Sequence, residues 1–280
     1  MRNIIISFVV LVLLLLLAMC YGFQQKNHPI AFIIDGESSN IIKEPINTIR
    51  EKTTSKELDN ELGLTDSIGV ILHRKAYKVS YNTAMRCPNW VAWHLTAEHI
   101  DGNIARDHTY YEDEEVPQPR ATNEDYRGSG WSRGHMCPAG DNKWDAEAMR
   151  ESNLFTNICP QDRSLNSGLW NKIEQDCRRW TKKHGDLYIV CGPIFLNSEH
   201  GTIGENRIVV PEAFFKVILC LKDKPKAIGF IVRNNAGKKK RDQYINTVDE
   251  VERITGIDFF PALQDDIENE VEAYANIDDW

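Results

Sequence analysis

Five strand-length apolar runs, each fenced by turn residues, most constrain how this chain can fold. Tyr77-Lys-Val-Ser-Tyr81 closes an alternating stretch that begins at Val70, and Trp90 to Leu95 follows it. Leu187 to Cys191 lies between Gly185-Asp186 and Gly192-Pro193. Phe214 to Leu221 and Ala227 to Val232 are joined by the short charged link Lys222 to Lys226. Helical candidates are Ala146 to Glu151, Leu169 to Lys182 and Tyr244 to Thr255. In the second, Trp170, Ile173, Cys177 and Trp180 recur at helical spacing; in the third, Gly256 stands just past the end. Strands and helices therefore do not alternate strictly, which indicates an α+β or mixed-sheet domain. The 280 residues suffice for one large domain or two small ones.

The ends read differently from the body. No charge occurs between Arg2 and Lys26, and Phe8 to Cys20 is an apolar run of signal-peptide length. Extended over Ile4 to Phe23, it is just long enough for a single membrane anchor. Leu17-Ala18-Met19-Cys20 faintly resembles a lipoprotein cleavage box, with Met19 a poor fit. The expectation is an exported chain: secreted, periplasmic or envelope-anchored, touching a membrane only through a retained N-terminal segment. Residues 1–25 form the signal or anchor, 26–61 a polar spacer, 62–264 the folded domain and 265–280 an acidic tail. That tail holds seven acids and no base. The net charge of −8 thus leaves a nearly neutral body, so any contact surface for a polyanion must be local. With Cys20 read as part of the leader, the other six cysteines allow either disulfides or buried thiols. The sequence has no C-x-x-C, which argues against a structural zinc site.

Ala121 to Trp180 carries the chemistry. It contains Asp125-Tyr-Arg-Gly-Ser-Gly-Trp-Ser-Arg133-Gly-His135-Met-Cys-Pro-Ala-Gly-Asp141, then Thr156-Asn-Ile-Cys-Pro-Gln161, Leu165-Asn166, Trp170 and Glu174. Glycines at 128, 130, 134 and 140 allow tight backbone paths around one Arg-Gly-His unit. Arginine is a permanent bidentate phosphate donor, and histidine can take a proton from water near neutrality. An asparagine oxygen is a hard, neutral ligand suited to a Mg²⁺ that keeps most of its waters. Together these are parts for metal-assisted phosphodiester hydrolysis.

This stretch resembles the signature of the DNA/RNA non-specific endonucleases of the ββα-metal superfamily. Arg133-Gly134-His135, Asn157 to Gln161, Asn166, Trp170 and Glu174 match its pattern in order and spacing. Asn89 to Trp93, Gly192-Pro193, Pro211 to Leu219 and Thr255 to Pro261 are similar to outlying family segments, so the likeness runs from about Leu72 to Leu263. One departure is Ser132, where the family has an aspartate; a serine there can still donate and accept. The resemblance implies an α+β fold with a ββα-metal core on a mainly antiparallel sheet with flanking helices. It implies that His135 is the general base and that Asn166 is the sole direct protein ligand of a hydrated Mg²⁺, for which Mn²⁺ can substitute. Glu174 would hold metal-bound water, Arg133 the substrate phosphate, and Arg106 the pentacoordinate phosphorus. The implied partners are DNA and RNA, cut with little sequence specificity to leave 5′-phosphates, and a homodimer of the chain.

Helical geometry is compatible with these roles. Eight residues at ~1.5 Å each place Glu174 about 12 Å along the axis from Asn166, leaning back toward it. Each residue also has a plainer structural reading. Asn166 could cap a helix, Glu174 could pair with Arg178, Arg133 could serve a core ion pair, Arg106 could be a surface charge, and Trp170 could be core packing. Cys137 invites a Cys/His hydrolase reading that no other feature supports. The six bases and two acids of Arg163 to Lys183, and Lys238 to Arg241, could follow a nucleic-acid backbone or be solvated surface. Two other functions stay open: a nucleic-acid-binding relative with weakened catalysis, and a phosphodiesterase for a non-polymeric substrate.

Overall fold

The computed structural model describes residue 64 and residues 69–280, apart from 198 and 236–239. The apolar leader, the spacer at 26–61 and part of the Lys238 to Arg241 loop lie outside the described residues. Strands β1 (Val70–His73), β2 (Lys78–Asn82) and β3 (Cys87–Leu95) form a meander. The chain then leaves the sheet through α1 (Ala97–Ile100), α2 (Asn123–Tyr126), strand β4 (Ser132–His135) and α3 (Ala146–Ser152). Strand β5 (Ile158–Gln161) pairs antiparallel with β4. One helical turn, α4 (Arg163–Leu165), runs through a π turn at Asn166–Trp170 into α5 (Asn171–His184). The chain re-enters the sheet as β6 (Leu187–Ile194), makes a ribbon of β7 (Thr202–Ile203) and β8 (Ile208–Val209), and continues as β9 (Ala213–Cys220), β10 (Lys226–Arg233) and β11 (Ile245–Asn246). Helices α6 (Val248–Thr255) and α7 (Asp265–Glu272) follow.

The main sheet has seven strands in the order β1-β2-β3-β6-β9-β10-β11, all antiparallel. Period-two alternation divides its side chains between two cores. On β9, Phe214, Ile218 and Cys220 join Trp170, Ile173, Cys177 and Trp180 of the helical segment. Phe215, Val217 and Leu219 point the other way, onto Val248 and Val251 of α6, Phe259, Phe260 and Val271 of α7. The sheet therefore separates the β4–β5–α5 unit from the α6–α7 pair. The α+β expectation with a mainly antiparallel sheet and flanking helices holds.

The Val70 to Tyr81 stretch is a hairpin of β1 and β2, and other boundaries also differ from the sequence reading for physical reasons. Strand β6 continues through Gly192-Pro193 to Ile194. Its pairing with β3 ends at Cys191, so Pro193 interrupts no ladder on that side, while β9 pairs with it through Phe214. Helix α6 begins at Val248 rather than Tyr244, because Thr247 caps it by accepting from the Glu250 amide at 3.2 Å.

The acidic C-terminal segment is folded. After α7 the chain reaches the far core, where Trp280 is buried, 5.0 Å from Trp180 between ring centroids, with Lys226 Nζ 4.8 Å above it. Trp280→Ala should therefore destabilise the domain by about 3 kcal/mol, the low end for a buried tryptophan. The check is a lowered urea midpoint with an unchanged m-value.

Candidate active site

Strands β4 and β5 must approach closely to present His135. Gly134 lies opposite Cys159, and a Cβ there would stand 2.5 Å from Gln161 Oε1. Only glycine admits that contact, which explains the glycine between Arg133 and His135.

His135 is buried and its protonation is fixed by neighbours. Asn153 Nδ2 donates to the Asp107 carbonyl at 3.0 Å, so the amide oxygen of Asn153 faces His135 Nε2 at 2.8 Å. A carbonyl can only accept; Nε2 therefore carries the proton and Nδ1 keeps its lone pair. Nδ1 makes no hydrogen bond within the described residues. Burial, and secondarily the Arg106 charge, push His135 down to about 4 against the opposing pull of the Asn153 hydrogen bond. The imidazole is thus a neutral base at pH 7.

The helix side is joined to this strand by Trp170, whose indole Nε1 donates to the His135 carbonyl at 3.4 Å. Asn166 opens the π turn with helical backbone angles (φ −56°, ψ −50°). It does not cap the helix; Asp162 does, accepting from the Leu165 amide at 2.9 Å. Asn166 is half-buried, and its side-chain amide has no hydrogen bond among the described residues. Glu174 is half-buried on α5 and does not pair with Arg178, which instead binds Asp141 at 2.7 Å. Burial holds the Glu174 carboxyl up at about 7, opposed by Lys216, Arg178 and Arg106 and reinforced by Asp141. Arg106 is exposed on the loop before Asp107, and its charge acts on both His135 and Glu174. Arg133 donates to the Asn123 carbonyl at 3.0 Å and packs 5.3 Å from the Tyr110 and Tyr126 rings, rather than joining a core ion pair.

Sequence reasoning missed Asn153 and Lys216. Asn153 has no spacing relation to His135 that a motif would reveal. Lys216 did leave a signal, since it is a lone cation inside the apolar β9 run. Its Nζ is buried 4.8 Å from the Trp93 ring and 4.7 Å from the Trp170 ring. Ser132 stands opposite Gln161 and makes no side-chain hydrogen bond among the described residues, so it does not orient His135. Cys137 is buried beside Asn142 and its thiol is pushed well up by burial, which rules out a ready nucleophile. All six cysteines from Cys87 onward are buried and unpaired. The basic stretch is partly neutralised internally. Arg178, Arg179 and Lys182 bind Asp141, Asp176 and Asp101, whereas Arg163 and Lys172 are exposed without ion pairs among the described residues.

A lowered histidine pKa has a defined effect on stability. Unfolded His135 protonates near 6.5, and the folded residue resists protonation until about 4. Between those values the unfolded state binds the extra proton, so stability should fall as pH drops through the window and be unaffected by this group above it. His135→Gln should flatten that fall, measured as urea midpoints across the window.

Comparison with known proteins supplies the family. The model of the DNA/RNA non-specific endonucleases matches residues 58–266. The mitochondrial nuclease EXOG of Mus musculus is 36% identical over 247 residues, covering 82% of this chain and 66% of that protein. The chain thus spans a little under two thirds of that relative's length. The mitochondrial endonuclease G of Homo sapiens is 32% identical over 205 residues, covering 68% of this chain and 69% of that protein. A crystal structure of the EndoG/EndoGI complex aligns with a TM-score of 0.66 at 29% identity, covering 70% of this chain and 89% of that one. These matches overturn the expectation of export, because the relatives are mitochondrial nucleases. An apolar N-terminal run encodes partition into a membrane and not which membrane, and six unpaired thiols give no support to an oxidising compartment. Among the described residues no helix is long and apolar enough to cross a membrane. By family model, sequence and fold, the chain belongs to the DNA/RNA non-specific endonuclease family.

Proposed function

We propose that this chain is a metal-dependent endonuclease that hydrolyses phosphodiester bonds of DNA and RNA with little sequence specificity. The observation that carries the reading is the chain of hydrogen bonds from the Asp107 carbonyl through Asn153 to His135. It leaves one ring nitrogen, Nδ1, unprotonated, on a residue that feels the Arg106 charge and whose carbonyl is tied to Trp170 of the helical segment. Relatives that are named nucleases support the same reading.

The donor set suits a hydrated Mg²⁺. Asn166 and Glu174 offer hard oxygens without protein hydrogen bonds, and one amide with one carboxylate leaves most ligand positions to water. Asn166 would hold the ion directly and Glu174 through water; Mn²⁺ could replace it. When bound, the ion supplies charge that stabilises the departing oxygen. His135 Nδ1 takes a proton from the attacking water as its oxygen bonds to phosphorus. The bond from phosphorus to the 3′-oxygen breaks, and the departing alkoxide takes a proton from solvent water, leaving a 5′-phosphate and a 3′-hydroxyl. Arg133 and Arg106 receive the phosphate oxygens, Arg133 held at a fixed angle by Tyr110 and Tyr126. Contacts confined to the backbone carry no sequence information.

Digestion of plasmid DNA and single-stranded RNA tests the reading. Both should be cut with Mg²⁺ and spared with EDTA, and His135→Ala should lose roughly 10²- to 10⁴-fold in rate. Inactivity of folded wild type across several divalent metals would refute it. Asn153→Leu should lower kcat by roughly 10²-fold with little change in KM, because the imidazole loses its tautomer and angle. Asn153→Asp keeps the acceptor and should recover part of that loss, with the pH profile displaced upward by the added negative charge.

A further inference from the structure

The sheet face opposite the candidate active site carries a second set of hard ligands. Asp249 and Glu252 sit one turn apart on α6, and Glu272 ends α7. One carboxylate oxygen from each lies within 4.8 Å of the others. Clusters of acids are common on surfaces, but Glu272 is not a surface residue. It is only 7% exposed, and its Oε1 is buried without a hydrogen-bond partner. Glu268, one turn earlier on α7, also has a buried and unpartnered Oε1. None of these four acids has an ion pair among the described residues. Glu252 reaches back to accept from the Phe259 amide at 2.8 Å, which fixes it where the two helices meet.

An uncompensated carboxylate at that depth is strongly unfavourable. Either a proton or a cation must offset it. Burial foremost, and then Glu252, Glu268, Asp249 and Asp258, hold the Glu272 carboxyl up at about 8. A proton on Glu272 would relieve one charge but leave the charges of Asp249 and Glu252 facing each other. A divalent cation among Asp249, Glu252 and Glu272 would offset the whole cluster at once. Converging carboxylates with no nitrogen or sulfur donor select a hard ion, and several oxygens with loose spacing favour Ca²⁺ over the small, strictly octahedral Mg²⁺.

We propose that Asp249, Glu252 and Glu272 bind a Ca²⁺ ion that fastens α7 to α6, on the face of the sheet away from the nuclease site. Its effect is structural: α7 is anchored to the sheet by little more than Val271, Ile267 and the helix pair itself.

The test is calorimetric titration of the metal-free full chain with CaCl₂, with thermal unfolding alongside. Asn166→Ala removes the candidate active-site ligand and isolates the second site. Wild type and Asn166→Ala should both bind Ca²⁺ and gain thermal stability. Glu272→Gln and Asp249→Asn should weaken that binding by roughly tenfold or more and lose the stability gain. Glu250→Gln should behave as wild type, because Glu250 pairs with Arg253 outside the cluster. An unchanged calcium response in Glu272→Gln would overturn the proposal. So would a response lost in Asn166→Ala alone, which would place all calcium at the nuclease site. No response in wild type, with Glu272→Gln more stable than wild type without metal, would show a protonated Glu272 instead and also overturn it.

Discussion

The position of Trp170 is the constraint on which the candidate site depends. Its side chain is wholly buried, its indole N–H reaches the His135 carbonyl, and one face of the ring covers the Lys216 ammonium. It also meets Phe214 of β9 at 5.6 Å. Four parts of the site are thereby located by one residue: the strand with His135, the helical segment with Asn166 and Glu174, the central sheet and the buried Lys216. The π turn that ends at Trp170 begins at Asn166, so the irregularity that seats the indole also sets where Asn166 projects. A π turn has poorer hydrogen-bond geometry than the α-helix around it and persists where packing requires it. Here the requirement is visible.

Electrostatics at the site follows from burying unlike groups at different depths. Lys216 has its charge over two aromatic faces and no salt bridge among the described residues, so its field is felt by Asp141 and Glu174. Arg178 takes up Asp141 and is thereby withheld from Glu174. The result is a half-buried carboxylate with no hydrogen-bond partner among the described residues, within reach of the Lys216 and Arg106 charges. Such an arrangement is unfavourable for the fold alone, which is the pattern expected where ligands are to be received.

The sheet was largely legible because β3, β6, β9 and β10 each had an apolar run bounded by turn residues, whereas the Val70 to Tyr81 stretch hid a hairpin and two-residue β11 is too short to leave a pattern. Trp170, Ile173, Cys177 and Trp180 likewise announced α5. The β4–β5 pair was not, because Ser-Arg-Gly-His has no alternation; its pairing is set by the Gly134 contact with Gln161, distant along the sequence and adjacent only in the fold. His135, Asn166, Glu174 and Arg133 were found through a resemblance that runs over the whole block. Asn153 was not, since its role comes from two hydrogen bonds to segments on either side of it, at Asp107 and His135. The folded C-terminus was hidden for the opposite reason: seven acids mask a single buried indole.

Separation of charge by the sheet reconciles an acidic chain with the polyanionic substrate proposed for it. Five acids of the last sixteen residues lie on α7, whose apolar side packs on the face away from Arg106, Arg133 and Lys172. Their field at the nuclease side is screened by distance and by salt, because the Debye length at physiological ionic strength is about 8 Å. The same acids repel one another where α7 meets α6, which is why that face needs a counter-charge of its own. Net charge is therefore a poor guide to what this protein can bind. What matters is which face of the sheet each charge occupies, and the alternation of Phe214, Phe215, Lys216 and Val217 along β9 decides that.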